Sequence, residues 1–152
     1  MAEIELIKDA PRKLIGIRRK VPTTELSAFY SEVFPKVMQW IAERGITPAS
    51  APMSMWCAMD MEKGIADAHA GVFVSEDVEV DGEITAGTTP GGEVLKFVHT
   101  GGYDSMGKSW MRVYGHAKEL GKTPGAGWEI YVDDPGQVPA ENVKTEIYLP
   151  IN

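Results

Sequence analysis

The chain has 152 residues, enough for one domain with a sizeable core. With 15 basic and 22 acidic residues its net charge is −7, which opposes general attraction to phosphate backbones and anionic lipid and suits a cationic partner. The single cysteine, Cys57, excludes an internal disulfide and is compatible with a reducing cytosol. Without a signal peptide or a run of about eighteen apolar residues, the sequence predicts a cytoplasmic protein with no membrane partner.

The first half of the chain has the patterns of two strands, a helix and two more strands. Alternating apolar residues indicate the strands, and apolar residues at helical spacing indicate the helix, which Gly45 ends. Thr23 or Thr24 is placed to cap the helix start. The predicted elements are strands at 4–7 and 14–21, a helix at 24–44, and strands at 53–59 and 65–75.

The second half repeats this order. A hairpin leads through Gly101 and Gly102 into a helix, and two strands follow, separated by a polar turn at 134–137. The predicted elements are strands at 84–88 and 93–99, a helix at 103–120, a strand within 127–135 and a last strand at 145–149.

The two halves look like one unit written twice. Gly45-Ile-Thr-Pro recurs as Gly121-Lys-Thr-Pro, and 121 − 45 = 76, which is half of the 152 residues. We therefore predict an α+β fold in a single domain over 1–152, with pseudo-repeats at about 1–76 and 77–152. Duplicated strand-helix-strand-strand units would form a mostly antiparallel sheet with two helices on one face and a central groove.

The strand within residues 127–135 carries the main candidate residue. Strand alternation directs Glu129 and Tyr131 to one face and Trp128 and Ile130 to the other. On composition alone, Glu129 is equally well explained as an ordinary solvent-facing acid. At the offset of 76 its counterpart is Met53, so the repeat itself does not require an acid there, which favours a functional carboxylate.

Methionine and aromatic residues supply a candidate pocket around this acid. Methionine fills irregular cores but also suits adaptable binding surfaces, and aromatic faces with a partly desolvated carboxylate would hold a lipophilic cation. The alternative for each of these methionine and aromatic residues is that it fills the core. The residues concerned are Met53, Met55, Trp56, Trp110, Tyr131 and Tyr148.

Other motifs point less clearly to chemistry. Residues 102–109 match the phosphate-loop pattern G-x-x-x-x-G-K-S, but Tyr103, Asp104 and Met106 bring bulk and charge that a phosphate cradle avoids. The three histidines have no paired metal spacing, so we predict neither a metal nor a cofactor. Among them, His69 lies on the strand predicted at 65–75, on the face that carries both polar and apolar residues, near the predicted groove.

Several runs together resemble a known family, the GyrI-like small-molecule-binding domain, which also serves as the effector-binding domain of AraC-type and MerR-type regulators. The resemblance covers essentially the whole chain. It implies the duplicated fold, a central groove for hydrophobic, often cationic compounds, and Glu129 as the pocket glutamate. The runs are His99-Thr-Gly-Gly-Tyr-Asp, the helix through Trp110, Gly127-Trp-Glu-Ile-Tyr-Val-Asp-Asp-Pro and Glu146-Ile-Tyr-Leu-Pro-Ile.

The resemblance leaves three functions open. The first is a stand-alone protein that binds or sequesters a ligand. The second is a hydrolase that opens cyclopropane-bearing alkylating compounds, with Glu129 as base and Tyr148, Tyr131 or Tyr103 as acid; burial among aromatic residues would raise the pKa of Glu129 toward that use. The third is modulation of DNA gyrase. With the domain filling the chain, no helix-turn-helix and no direct nucleic acid partner are expected, and a homodimer is left open.

The predicted ligand-binding set joins the motif residues and the pocket candidates. Glu129 is the central residue of this set both for a binding protein and for a hydrolase. The full set is Glu129, Tyr131, Tyr148, Trp110, Tyr103, Met53, Met55, Trp56 and His69.

Overall fold

A computed structural model describes residues 3–134 and 136–152. The fold is α+β with antiparallel strands, as predicted. The chain forms two compact units, one of residues up to Pro11 together with Pro90–Asn152, and the other of Arg12–Thr89. Within the described residues, each unit contains four strands and one α-helix. The predicted single-domain boundary and central groove stay predictions.

The unit of Arg12–Thr89 is a four-stranded antiparallel sheet with one helix. Its strand order is β3-β4-β2-β5. The elements are β2 (Lys13–Pro22), α1 (Leu26–Glu43), β3 (Met53–Asp60), β4 (Ile65–Val74) and β5 (Ile84–Thr88). A β-bulge lies in β3 between Trp56 and Ala58.

Helix α1 packs on one face of this sheet because its apolar residues recur every three or four positions. Phe29, Val33, Val37 and Ile41 are buried against the α1-facing side chains of β2 and β4. The start of α1 corrects one prediction. A short 3-10 turn at Thr23–Glu25 precedes the helix, and neither threonine caps it with a side-chain hydrogen bond. The end follows the prediction, since Gly45 adopts φ 65°, a conformation that glycine accepts without strain.

A polar contact inside this unit gives a first test of the packing. The Tyr30 hydroxyl donates to Ser54 Oγ at 3.1 Å, and Ser54 is fully buried. We expect Tyr30→Phe to lower the free energy of unfolding by about 1 kcal/mol, because the buried Ser54 loses its hydrogen bond to Tyr30. Urea unfolding measures the change. In the Tyr30→Phe background, Ser54→Ala should then cost less than it does alone; equal costs in both backgrounds would contradict the contact.

The second unit has the same plan. Its strand order is β1-β6-β8-β7, all antiparallel. The elements are β1 (Glu5–Asp9), β6 (Gly92–Thr100), α2 (Met106–Glu119), β7 (Trp128–Tyr131) and β8 (Lys144–Pro150). A 3-10 turn at Tyr103–Ser105 precedes α2. Because β1 pairs with β6, and β5 pairs with β2 in the other unit, the compact units are not the two sequence halves.

Helix α2 covers one face of this sheet over β6 and β8. Met106, Val113 and Ala117 form its buried stripe, while Leu120, just after the helix, is exposed. Neither helix of the described chain has the length and apolar character needed to cross a membrane. Pro135, which the sequence assigns to the turn after β7, lies outside the described residues, as do Met1 and Ala2 of the predicted domain.

Candidate functional site

Glu129 lies in the middle of β7 with its side chain on the face that α2 covers. Its cross-strand neighbour on β8 is Ile147, which itself opposes Phe97 on β6, and both of these residues belong to the core beneath α2. Directly opposed residues of antiparallel strands share a face. The strand therefore carries a carboxyl group into the edge of an apolar core, and only 5% of Glu129 is exposed.

Two aromatic side chains hold this carboxyl group. The indole Nε1–H of Trp110 on α2 donates to Glu129 Oε2 at 3.1 Å. The hydroxyl of Tyr131, on the same face of β7, donates to Oε1 at 3.1 Å. Both oxygens thus have a donor, and the predicted shared face of Glu129 and Tyr131 is confirmed.

Burial controls the charge of this group. Desolvation raises the pKa of Glu129 to about 7, although the hydrogen bonds from Trp110 and Tyr131 act in the opposite direction. Within residues 3–134 and 136–152 no basic side chain forms an ion pair with Glu129. The result is a buried carboxyl that changes its charge near neutral pH and that forms no ion pair with a basic side chain of the described residues.

Aromatic rings extend from the carboxyl toward solvent. The ring of Tyr103 meets that of Tyr131 edge to face, with centroids 5.8 Å apart, and Tyr103 is exposed. Burial, and then the negative charge of Glu129, raise the pKa of Tyr103. On α2 the ring of Tyr114 lies 5.7 Å from that of Trp110. Four of the predicted site residues, Glu129, Tyr131, Trp110 and Tyr103, are therefore brought together.

Tyr148 lies elsewhere. It opposes Trp128 across the β7–β8 ladder, and the two rings stack with centroids 5.3 Å apart. Because neighbouring residues of a strand point to opposite faces, this pair lies on the face away from Glu129. The Tyr148 hydroxyl donates to Glu146 at 2.8 Å. The structure does not bring Tyr148 to the Glu129 carboxyl, which the predicted Glu129 and Tyr148 hydrolase pair requires.

The remaining predicted site residues belong to the other unit and are divided between two faces of its sheet. Trp56 packs with the core beneath α1. Met55 and its cross-strand neighbour His69 lie on the opposite face, as does Met53, and all three are buried. Burial lowers the pKa of His69, whose Nε2 lies 3.1 Å from the carbonyl oxygen of Thr85.

The repeat also assigns the wrong counterpart to Glu129. Residues 44–52 join α1 to β3, whereas residues 120–127 join α2 to β7, so the first connection is one residue longer. One extra residue reverses which side chains face the helix. Ser54, bonded to Tyr30 of α1, occupies the position that Glu129 occupies beside α2, and Met53 points away.

The segment that matches the phosphate-loop pattern is a strand-to-helix junction tied down by its own side chains. His99 Nδ1 lies 2.6 Å from Ser109 Oγ, and its Nε2 lies 3.0 Å from the carbonyl oxygen of Gly102. Met106 packs into the core beneath α2. Sequence reasoning missed this histidine-serine contact. In the described part of the chain no three His, Cys, Asp or Glu residues are grouped so that they could hold a metal ion.

The fold and the buried acid among aromatic rings define a class, that of small domains that bind small molecules. The chain belongs to the family of the GyrI-like small molecule binding domain, whose model matches residues 2–152. The resemblance stated from sequence is thereby confirmed. No curated protein matches the chain in a sequence comparison.

Solved structures show the same fold at low identity. The C-terminal domain of EcmrR has a TM-score of 0.80 at 18% identity, over 100% of this chain and 97% of that chain. In the EcmrR–DNA complex the TM-score is 0.82 at 18% identity, and the match covers 100% of this chain but only 57% of that chain. SAV2435 bound to tetraphenylphosphonium has a TM-score of 0.70 at 15% identity, over 99% and 94%. A hydrolase encoded by lin2189 from Listeria innocua has a TM-score of 0.66 at 14% identity, over 99% and 92%.

Proposed function

We propose that this domain binds lipophilic cations, with Glu129 as the residue that recognises the positive charge. The observation that carries the proposal is a carboxyl group that is 5% exposed and lacks a basic partner in the described chain. Burying a carboxylate without a counter-charge is costly, and a ligand cation would remove that cost. The binding of tetraphenylphosphonium to SAV2435, a protein of the same fold, agrees with this proposal.

The surroundings of Glu129 suit a cation that carries apolar groups. The faces of Trp110, Tyr131 and Tyr103 attract positive charge through their ring quadrupoles and also offer apolar area. A small hydrated cation such as Na⁺ would gain little from these rings. The net charge of −7 adds a weak general attraction.

Calorimetry with tetraphenylphosphonium tests the proposal. At pH 8 we expect Glu129→Gln to weaken binding about a hundredfold, because a charge pair at about 6 Å with an effective dielectric constant near 20 contributes roughly 3 kcal/mol. Glu146→Gln is the matched control: it removes the same charge from the opposite face of the same sheet.

Triphenylphosphine oxide, which is neutral, shows how much of the binding depends on the charge of the ligand and how much on its shape. Its binding should change little in Glu129→Gln. If the glutamine variant binds tetraphenylphosphonium as tightly as the wild type, or if Glu146→Gln weakens binding equally, Glu129 does not recognise the cation.

A second candidate function is hydrolysis, favoured by the 3.1 Å contact between the Tyr131 hydroxyl and Glu129. A carboxyl with a pKa of about 7 can accept a proton from water, and a phenol beside it can donate one. In a cyclopropane-bearing substrate the water oxygen would bond to a ring carbon as a ring C–C bond breaks. The electron pair would move to a conjugated carbonyl, whose oxygen takes the Tyr131 proton, and Glu129 would then return its proton to Tyr131.

Mass spectrometry distinguishes the two candidates. A hydrolase gives a product heavier than the substrate by one water, and this product should disappear in both Glu129→Gln and Tyr131→Phe. A binding protein leaves the compound chemically intact while retaining it. Product formation that persists in both variants would exclude this pair as the catalytic residues.

A further inference from the structure

One flank of α2 extends the Glu129 site along the helix. Gly107, Trp110, Met111 and Tyr114 are linked by steps of three or four positions, which places them on one side of an α-helix. We call these four residues the α2 flank. Trp110 connects the flank to the site, because its indole bonds Glu129 while the ring of Tyr114 packs against it.

The α2 flank is apolar although it faces solvent. Met111 is 74% exposed and Tyr114 is 43% exposed. The buried stripe of α2, formed by Met106, Val113 and Ala117, is a separate set of residues. Single exposed apolar residues need no explanation. Here, however, they are continuous with a buried carboxyl through a shared tryptophan.

Gly107 leaves the surface of the flank open. A Cβ atom built at this position meets no heavy atom within 4 Å. Glycine weakens a helix relative to most other residues, so helix formation does not favour it there. Its effect is to leave space beside Trp110 and Met111, one turn along the helix.

We infer that the compounds bound at Glu129 are elongated amphiphilic cations whose apolar arm lies along the α2 flank. The cationic head contacts Glu129 and Trp110, and the arm covers Met111, Tyr114 and the open surface at Gly107. This inference rests on the proposed function. From Gly107 to Tyr114 the flank is about 10 Å long, which accommodates an arm of roughly eight carbons.

Alkyltrimethylammonium ions with arms of two to ten carbons test the inference, each used below its micelle concentration at pH 8. We expect affinity to increase about twofold for each added methylene up to roughly eight carbons, as for an arm buried on one side, and then to level off. Titration calorimetry gives the affinities. Met111→Gln and Gly107→Gln should reduce this increase per methylene while leaving the affinity for ethyltrimethylammonium within about twofold of the wild type, since glutamine supports a helix but offers the arm a polar surface.

A control variant carries the same chemical change away from the α2 flank. Leu120→Gln replaces an exposed apolar residue just after α2, and it should keep the wild-type increase per methylene. Circular dichroism verifies that all three variants retain the helix.

The outcomes separate the inference from the function on which it rests. An increase with arm length that both flank variants reduce and Leu120→Gln retains supports the inference. Affinity that does not depend on arm length, or an increase that Met111→Gln and Gly107→Gln leave unchanged, overturns it while binding of the cationic head stands. If no ion of the series binds, or if Glu129→Gln binds them all as the wild type does, the proposed function fails as well.

Discussion

Replacing Glu129 by glutamine is expected to stabilise the folded protein at alkaline pH. The folded state holds the pKa of Glu129 at about 7 because the carboxyl is buried, against 4.5 for an exposed glutamate. A difference of 2.5 between these values corresponds to roughly 3.4 kcal/mol at about 1.36 kcal/mol per pKa unit. Above pH 8 Glu129→Gln should therefore raise the free energy of unfolding by about 3 kcal/mol.

The direction in which the free energy of unfolding changes with pH follows from proton binding by Glu129. A group whose pKa is raised on folding binds its proton more tightly in the folded state, so wild-type stability falls as pH rises from 4.5 through about 7. Below pH 4.5 the carboxyl is protonated in both states, and glutamine, which is also neutral, gains no advantage there. The stabilisation by Glu129→Gln should thus appear between pH 4.5 and about 8.

Urea unfolding at intervals from pH 4.5 to pH 9 measures this difference. Glu62→Gln is the control, because Glu62 is exposed and should give no comparable stabilisation at any pH. If the free energies of unfolding of Glu129→Gln and the wild type differ by the same amount from pH 4.5 to pH 9, the account is wrong. Such a result would show that the carboxyl does not titrate with a raised pKa. Residues kept for binding often reduce the stability of the fold, so a stabilising replacement of Glu129 is expected if Glu129 serves a binding function.

Binding of a lipophilic cation is expected to depend strongly on pH. A cation prefers the ionised carboxylate, and ionisation of Glu129 is half complete near pH 7. If charge recognition contributes roughly a hundredfold in affinity, the ligand lowers the pKa of Glu129 by about two units when it binds. Tetraphenylphosphonium should then bind about fiftyfold more weakly at pH 5 than at pH 8, with a proton released on binding near pH 6.

Calorimetry in buffers of different ionisation enthalpy detects both the affinity and the proton. In Glu129→Gln the affinity should be low at every pH and no proton should be released. Neutral triphenylphosphine oxide provides the matched ligand, whose affinity should not increase from pH 5 to pH 8. A pH profile that survives in the glutamine variant would assign the titration to another group.

Local patterns were enough to predict most of the secondary structure. Alternation identified β7 and placed Glu129 and Tyr131 on one face, and helical spacing identified α1 and α2. These features depend on backbone geometry within a few residues, where a period of two or of 3.6 is directly visible in the sequence. The start of α1 was less predictable, because a 3-10 turn replaced the expected threonine cap.

Contacts between elements were not predictable in the same way. The alternation in β8 shows that Tyr148 faces away from its neighbour Ile147, but only the pairing register with β7 shows that Tyr148 stacks on Trp128 rather than meeting Glu129. Likewise, one additional residue before β3 exchanged Met53 for Ser54 as the counterpart of Glu129. A register shift of one residue reverses a whole face, and no local pattern records the register.

The sequence by itself determined the family, the order of elements and an acid on the same strand face as Tyr131. Those properties follow from composition, periodicity and motifs along the chain. The tertiary structure alone decided that this acid is buried, that Trp110 of α2 and Tyr131 bind its two oxygens, and that its pKa is raised to about 7. The reason is physical: the charge state of a carboxyl depends on the solvent it has lost and on the donors around it, and packing between distant segments sets both.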